Sequence, residues 1–319
     1  YVDKSMLIRL TNERLNSNDR HICISRPRRF GKSMAANMLV AYYSRNCDSK
    51  ELFSSLAIAD TLDFEDHLNK YNVIHLDMTR FASKAPDVKG MIDRLELTLK
   101  QELSELCADI SYPDFYSSDE ILTLIYNKYR IPFVFIIDEW DCVFRIHKND
   151  IEGQTAYLDY LKILLKDRPY VALDYATGIL PVKKYGQHSA LNMYCEYSII
   201  DAEPFAEYMG FTESEVQGLC RRFDMPFDEM KGWYNGYHVG DTSIYNPQSV
   251  VNACLRKRFS NYWTKTETFE ALKIYIQLDM DGLRNDIIRM IAGEQVSVNT
   301  NKFQNDMVTM NSADDVITL

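Results

Sequence analysis

The chain has 319 residues, 46% of them apolar and 26% charged, with a net charge of −10. That length builds one large domain or two modest ones around a sizeable core. The acidic balance excludes a surface dominated by basic charge but leaves room for a local basic patch. Seven cysteines, at 23, 47, 107, 142, 195, 220 and 254, show no Cys-x-x-Cys spacing, and six histidines show no ligand spacing. This points to reduced thiols in a cytoplasmic protein rather than a disulfide frame or zinc site. No apolar run reaches the ~18–20 residues of a membrane helix. The chain opens at Tyr1 and stops inside the apolar pattern SADDVITL, so both ends are expected to be cut.

In chain order, His21 to Ser25 is a short β-rich run, followed by RPRRF and then a helical run from Lys32 to Ser44. Met34, Met38, Leu39 and Tyr42 recur there at helical spacing. Tyr71 to Phe81 reads as a second buried strand with Asp77 at its end. Met91, Ile92, Leu95, Leu99, Leu103 and Leu106 recur every three or four residues, predicting a long amphipathic helix. Ile131 to Asp141 places five consecutive apolar residues before Asp138-Glu139, the pattern of a strand covered on both faces. A helix is expected over Gln154 to Lys166, and a fourth strand over Tyr170 to Ile179, ending in Thr177-Gly178. Alternating strands and helices predict an α/β fold with a parallel sheet flanked by helices. Near residues 204–210 the character changes. Thr212 and Glu215 form a capping box, and the chain beyond is mostly helical and polar, interrupted by the aromatic segment Trp233 to Pro247. The expected division is a core over 1–205 and a mainly helical module over 206–319.

Gly31-Lys32-Ser33 stands between a strand and a helix, where free N–H groups and the helix dipole favour a phosphate. A lysine there reaches β- and γ-phosphates, a serine can ligate Mg²⁺, and a glycine admits close backbone approach. Asp138-Glu139 supplies the complementary acids. The aspartate is placed to hold Mg²⁺, and the glutamate to polarise an attacking water. Thr177, at the ligand-binding edge of an open sheet, is either a γ-phosphate sensor or the start of a turn. Asp77 is expected to serve a turn. Arg26 stands where a standard phosphate loop has its first glycine. Pro27 presets φ, and Arg26, Arg28 and Arg29 are open to phosphate, nucleic acid, lid carboxylates or solvent. Trp233, Tyr234, Tyr237 and Tyr245 either stack on bases or staple a loop to its domain.

Six segments occur in fixed order: YVDKS (1–5), RPRRFGKS (26–33), FIIDEWD (135–141), TGILPV with SALNMY (177–194), GFTESEV (210–216) and WYNGY…IYNP…YW (233–263). Together they resemble the AAA-ATPase-like proteins of gut and anaerobic bacteria, in which the ATPase module is usually followed by a PD-(D/E)XK nuclease-like domain. The resemblance implies a P-loop ATPase that binds ATP and Mg²⁺, with residues 26–33 (Arg26, Pro27, Arg28, Arg29, Phe30, Gly31, Lys32, Ser33) as its phosphate loop. It implies Ser33 and Asp138 at the metal, and Lys32 and Glu139 in catalysis, beside which Thr177 is the sensor expected from its strand-end position. It makes Arg26 a family variant rather than a lesion, and Trp140 a departure from the more frequent tyrosine. The nuclease-like region is expected to be absent from these residues. The family's broader relatives imply a helical or winged-helix lid from about residue 206. Self-association, an arginine from a neighbouring subunit or from the lid, and a nuclease or nucleic-acid partner are further expectations.

Overall fold

The computed structural model describes residues 2–180, 191–198, 201–239, 242–262, 283–291 and 296. Its centre is a five-stranded, wholly parallel sheet built from β1 (His21–Ser25), β2 (Asn72–Asp77), β3 (Phe133–Asp138), β4 (Val171–Gly178) and β5 (Cys195–Tyr197). The spatial order is β2-β3-β4-β1-β5. Alternate residues of β3 serve opposite faces. Phe133, Phe135 and Ile137 enter one core cluster, and Val134 and Ile136 enter the other. Each of these side chains, removed from water, contributes about 1.5–3 kcal/mol of transfer free energy.

The helices of the larger unit are α1 (Leu7–Asn12), α2 (Lys32–Tyr43), α3 (Lys50–Phe53), α4 (Phe64–His67), α5 (Met78–Ala82), α6 (Val88–Leu106), α7 (Ser118–Tyr129), α8 (Cys142–Ile146) and α9 (Ile151–Leu165). Three of them, α6, α7 and α9, cover one face of the sheet, while α1 and α2 cover the other. The long amphipathic helix is α6, with Met91, Leu95, Leu99 and Leu103 buried and Leu106 left exposed. Asp77 caps α5, accepting from the Arg80 N–H, which is the turn role expected of it.

The face that α2 buries differs from the one its methionines suggested. Ala35, Ala36, Leu39, Tyr42 and Tyr43 meet the sheet, while Met34 is 67% exposed. The two alanines let the helix lie close to the strands, which turns Met34 outward.

Beyond residue 205 the polypeptide builds a second small core. A three-stranded antiparallel sheet, in the order β6-β8-β7, contains β6 (Phe211–Thr212), β7 (Tyr237–Val239) and β8 (Thr242–Tyr245). Two helices, α10 (Glu213–Arg222) and α11 (Phe227–Tyr234), lie between β6 and β7, and α12 (Pro247–Arg256) follows β8. A further helix, α13, spans Leu283–Ile291. The mainly helical expectation therefore lacked a sheet, and part of the aromatic segment is a β-hairpin. Thr212 and Glu215 form the expected capping box on α10. Tyr234 and Tyr245 are buried in the small core with Val216, Met230 and Val250, whereas Trp233 is exposed. The Tyr237 side chain, Trp263, the SADDVITL tail and most of TGILPV–SALNMY between Thr177 and Tyr194 fall outside the described residues.

Candidate functional site

Strand β1 delivers the chain to residue 26, whose N–H donates to Gly178 O at 3.1 Å. The loop then turns through two left-handed residues, Arg29 (φ 73°) and Gly31 (φ 90°), before α2 begins. A Cβ at residue 31 would meet nothing within 4 Å. Gly31 is therefore needed for its backbone angle, which L-residues adopt at a cost of about 1–2 kcal/mol. The first intrahelical bond runs from Ala35 N to Gly31 O. The N–H groups of residues 32–34 consequently lack intrahelical acceptors and lie at the positive end of the helix dipole.

Lys32 folds back into this loop. Its Nζ donates to Arg26 O at 3.0 Å and Pro27 O at 3.2 Å, and lies 3.7 Å from Glu139 Oε1. Burial lowers its pKa, and Glu139, Asp141 and Asp138 partly offset that shift. Ser33, one residue on, is exposed at the helix start.

The acids arrive on β3. Asp138 is buried and accepts a hydrogen bond from the Thr177 hydroxyl, itself fully buried at the end of β4. Sheet order explains the pairing, because β4 lies between the loop-bearing β1 and the acid-bearing β3. Glu139 occupies a left-handed turn (φ 55°) just past the strand. Its Oε2 pairs with the Arg145 guanidinium while its Oε1 faces Lys32. Arg145 also lies 3.5 Å, through Nε, from Asp141 Oδ2. Burial alone would lower the Arg145 pKa, but Asp141 and Glu139 outweigh it, so the net direction is upward. Asp141 is fully buried and accepts from the backbone N–H groups of Ile179 at 3.2 Å and Leu180 at 2.9 Å.

The arginines of the loop part company. Arg26 is 1% exposed, and its Nη1 donates to Ser25 O at 2.8 Å and Tyr197 O at 2.9 Å. Its side chain thus ties the loop to the edge strand β5 and does not line the cavity described below, which corrects the expectation of a phosphate contact through that guanidinium. Burial pushes its pKa down to about 10. Pro27 contributes its carbonyl to Lys32. Arg28 lines the cavity half-buried, and Arg29 is exposed with Nη1 3.3 Å from Tyr262 O. Phe30 is buried against Ala202, Ala206 and Ile244, so the loop is packed directly onto the small module.

The loop from Arg28 to Ser33, with Glu139 and Arg145, faces a cavity of about 1280 Å³. Its polar lining comes from the loop, Lys32, Ser33, Glu139 and Arg145. Its apolar lining comes from Phe211, Leu219 and Phe223 of the small module and from Met34 and Met38 of α2. Val2 and Lys4 also reach it. Lys4 Nζ bridges to Glu215 Oε2 at 2.6 Å and to Glu207 O at 2.5 Å, tying the N-terminal segment to the small module. Asp3 and Ser5 fasten the same segment to the larger unit through the N–H groups of Ala57 and Ile58.

Arg145, Asp141 and Lys4 were given no role from sequence. Asp141 and Arg145 did carry a signal, an i,i+4 charge pair directly after the acidic motif. Among the described residues no group of three or more His, Cys, Asp or Glu could hold a metal ion. Ser33 lines the cavity, whereas Asp138 and Thr177 are buried and do not line it. A hydroxyl and a carboxylate are ligand types that suit Mg²⁺, a hard cation that keeps several waters and needs few protein ligands beside substrate phosphates. Also among the described residues, no helix is long and apolar enough to cross a membrane.

A protein of Azotobacter chroococcum mcd 1, described as an uncharacterized protein in the vnfD 5' region, is 25% identical over 256 residues. The match covers 78% of this chain and 48% of that protein, so the chain spans about half the length of this curated relative. Residues 1–187 match the family model described as predicted AAA-ATPase, and the chain belongs to that AAA-ATPase-like family.

Proposed function

We propose that the protein is a Mg²⁺-dependent ATPase that binds ATP at residues 26–33 and cleaves it to ADP and phosphate. The observation that carries this reading is Lys32. Its ammonium sits inside the loop on two backbone carbonyls, 3.7 Å from the glutamate that follows the acid-bearing strand. In this reading Lys32 exchanges those carbonyls for the β- and γ-phosphates, and the backbone N–H groups at the start of α2 cradle them. Ser33 and Asp138 hold Mg²⁺, which supplies charge neutralisation on the phosphate oxygens when bound. Thr177 fixes the orientation of Asp138. Glu139 orients a water and accepts its proton.

The apolar lining from α2 and the small module suits a nucleobase, held between α2 and a lid formed by residues 206–319. The β-α-α-β-β order of that module supports a winged-helix arrangement. The loop arginines take unequal parts: Arg28 and Arg29 stand near the phosphates, while Arg26, Pro27 and Phe30 shape the loop. An attached or separate partner, a nuclease-like module among them, is what turnover drives or controls.

A second reading, from a different class, is a nucleotide switch with little turnover. Its supporting observation is that Glu139 is held by two cations. The test of nucleotide binding is calorimetric titration with ATP analogue and Mg²⁺. Wild type should bind, and Lys32→Ala should bind far more weakly. Unchanged affinity in Lys32→Ala removes the phosphate-loop reading.

A further inference from the structure

We infer, building on the nucleotide site proposed above, that Arg145 reads the γ-phosphate from within the same chain, and that its present grip on Glu139 is what the γ-phosphate releases. Arg145 and Glu139 line the same cavity as Lys32 and Ser33, and Glu139 pairs with both Arg145 and Lys32. The two carboxylates beside Arg145 differ in how firmly they are held. Asp141 is fully buried and anchored by two backbone N–H groups, so it is a fixed pivot for the guanidinium. Glu139 is 23% exposed on its side chain, stands on a left-handed turn just past the strand, and is the exchangeable partner.

In the present arrangement each Glu139 oxygen faces a cation, Arg145 at Oε2 and Lys32 at Oε1. With both oxygens so engaged, the carboxylate has neither oxygen free to orient a water. A γ-phosphate carries more charge than one carboxylate and matches the planar guanidinium fork. With it in place, Arg145 turns on its Asp141 pivot to the phosphate, Lys32 does the same, and Glu139 is freed. The step then balances. The water oxygen bonds to the γ-phosphorus, its proton passes to Glu139, and the bond to the bridging oxygen breaks with its electron pair leaving on ADP. ADP, lacking that phosphate, leaves the Glu139–Arg145 pair closed, so the base is exposed only when there is something to cleave.

The experiment is equilibrium titration of the full chain with Mg²⁺ and either ADP or a non-hydrolysable ATP analogue. It compares wild type, Arg145→Ala, Arg145→Lys and Glu139→Gln. Arg145→Ala should lose about tenfold or more in analogue affinity and hold ADP within about twofold of wild type, with Arg145→Lys in between. Glu139→Gln should bind the analogue more tightly than wild type and ADP equally, because its neutral amide holds Arg145 less firmly. Equal losses for both nucleotides in Arg145→Ala, or no loss for either, overturn the inference while leaving the ATP site standing. Wild type binding neither nucleotide removes the ATP site and this inference together. If Arg145→Ala fails to fold, as read by the melting of the nucleotide-free protein, Arg145→Gln carries the same comparison, since it keeps a polar side chain beside Asp141 without the charge.

Discussion

The Thr177 hydroxyl donates to the Asp138 carboxylate across the neighbouring ends of β4 and β3, with both groups buried. Removing the hydroxyl leaves a buried carboxylate short of one partner. Thr177→Val should therefore lower Mg²⁺-dependent phosphate release by about ten- to a hundredfold, the equivalent of a hydrogen bond to a charged group. Thr177→Ser should restore most of it. Steady-state release measured across a Mg²⁺ series checks both.

The Arg26 guanidinium rests on two carbonyls and no carboxylate. Arg26→Met should change ATP affinity by less than about threefold, because replacing a buried charge by an apolar side chain acts on folding rather than on the ligand. Calorimetric titration reads this, and a large loss of affinity would place the guanidinium on the phosphates after all. Its pH signature follows from the depressed pKa, about 10 in the folded state against 12.5. The unfolded state holds the proton more tightly, so the unfavourable contribution is present in full below about pH 10 and is relieved only as pH rises from there toward the unfolded value. Wild type and Arg26→Met should accordingly show parallel stability curves between about pH 6 and 9.

Lys4 bridges the N-terminal segment to Glu215 and Glu207 of the small module. Lys4→Ala should destabilise by about 1–3 kcal/mol, the range for hydrogen bonds to charged groups, and should speed proteolysis of the 206–262 region. Urea denaturation and limited proteolysis check it. Glu215→Gln, which keeps an acceptor for the Thr212 N–H, should show the smaller effect.

Gly210 has φ 108°, and a Cβ there would lie 2.3 Å from Ile244 Cγ2 and 3.2 Å from Phe30. Gly210→Ala combines backbone strain with a clash at the junction of the phosphate loop and β8. A loss of about 2 kcal/mol or more is expected, visible as a lower melting temperature, together with weaker nucleotide binding.

Local signals made the centre of this site legible. A glycine, lysine and serine between a strand and a helix, and two acids after five apolar residues, are short-range patterns. The strands that carry them are buried on both faces and read as continuous apolar runs. The capping box of α10 was legible for the same reason. A similar signal at Ser117 and Glu120, where the Ser117 N–H donates to Glu120, marks the start of α7. What was hidden depends on through-space placement. Nothing in the order of the chain says that β4 inserts between β1 and β3, which is what brings Thr177 to Asp138. Arg26 reads as a loop cation until the three-residue β5, only half-buried, covers it. Met34 reads as core because its spacing fits, yet the sheet selects the smaller Ala35 and Ala36. Arg145 acquires meaning only beside Glu139, since an i,i+4 pair with Asp141 is by itself an ordinary feature of helix surfaces.

The most direct test of the ATPase account is steady-state phosphate release from ATP by wild type, Lys32→Ala and Glu139→Gln, each with and without Mg²⁺. Wild type should release phosphate only with Mg²⁺. Glu139→Gln should bind ATP and turn it over about a hundredfold or more slowly, the scale of a lost general base, and Lys32→Ala should do neither. Wild-type turnover no faster than that of Glu139→Gln, or full turnover by Lys32→Ala, would contradict it.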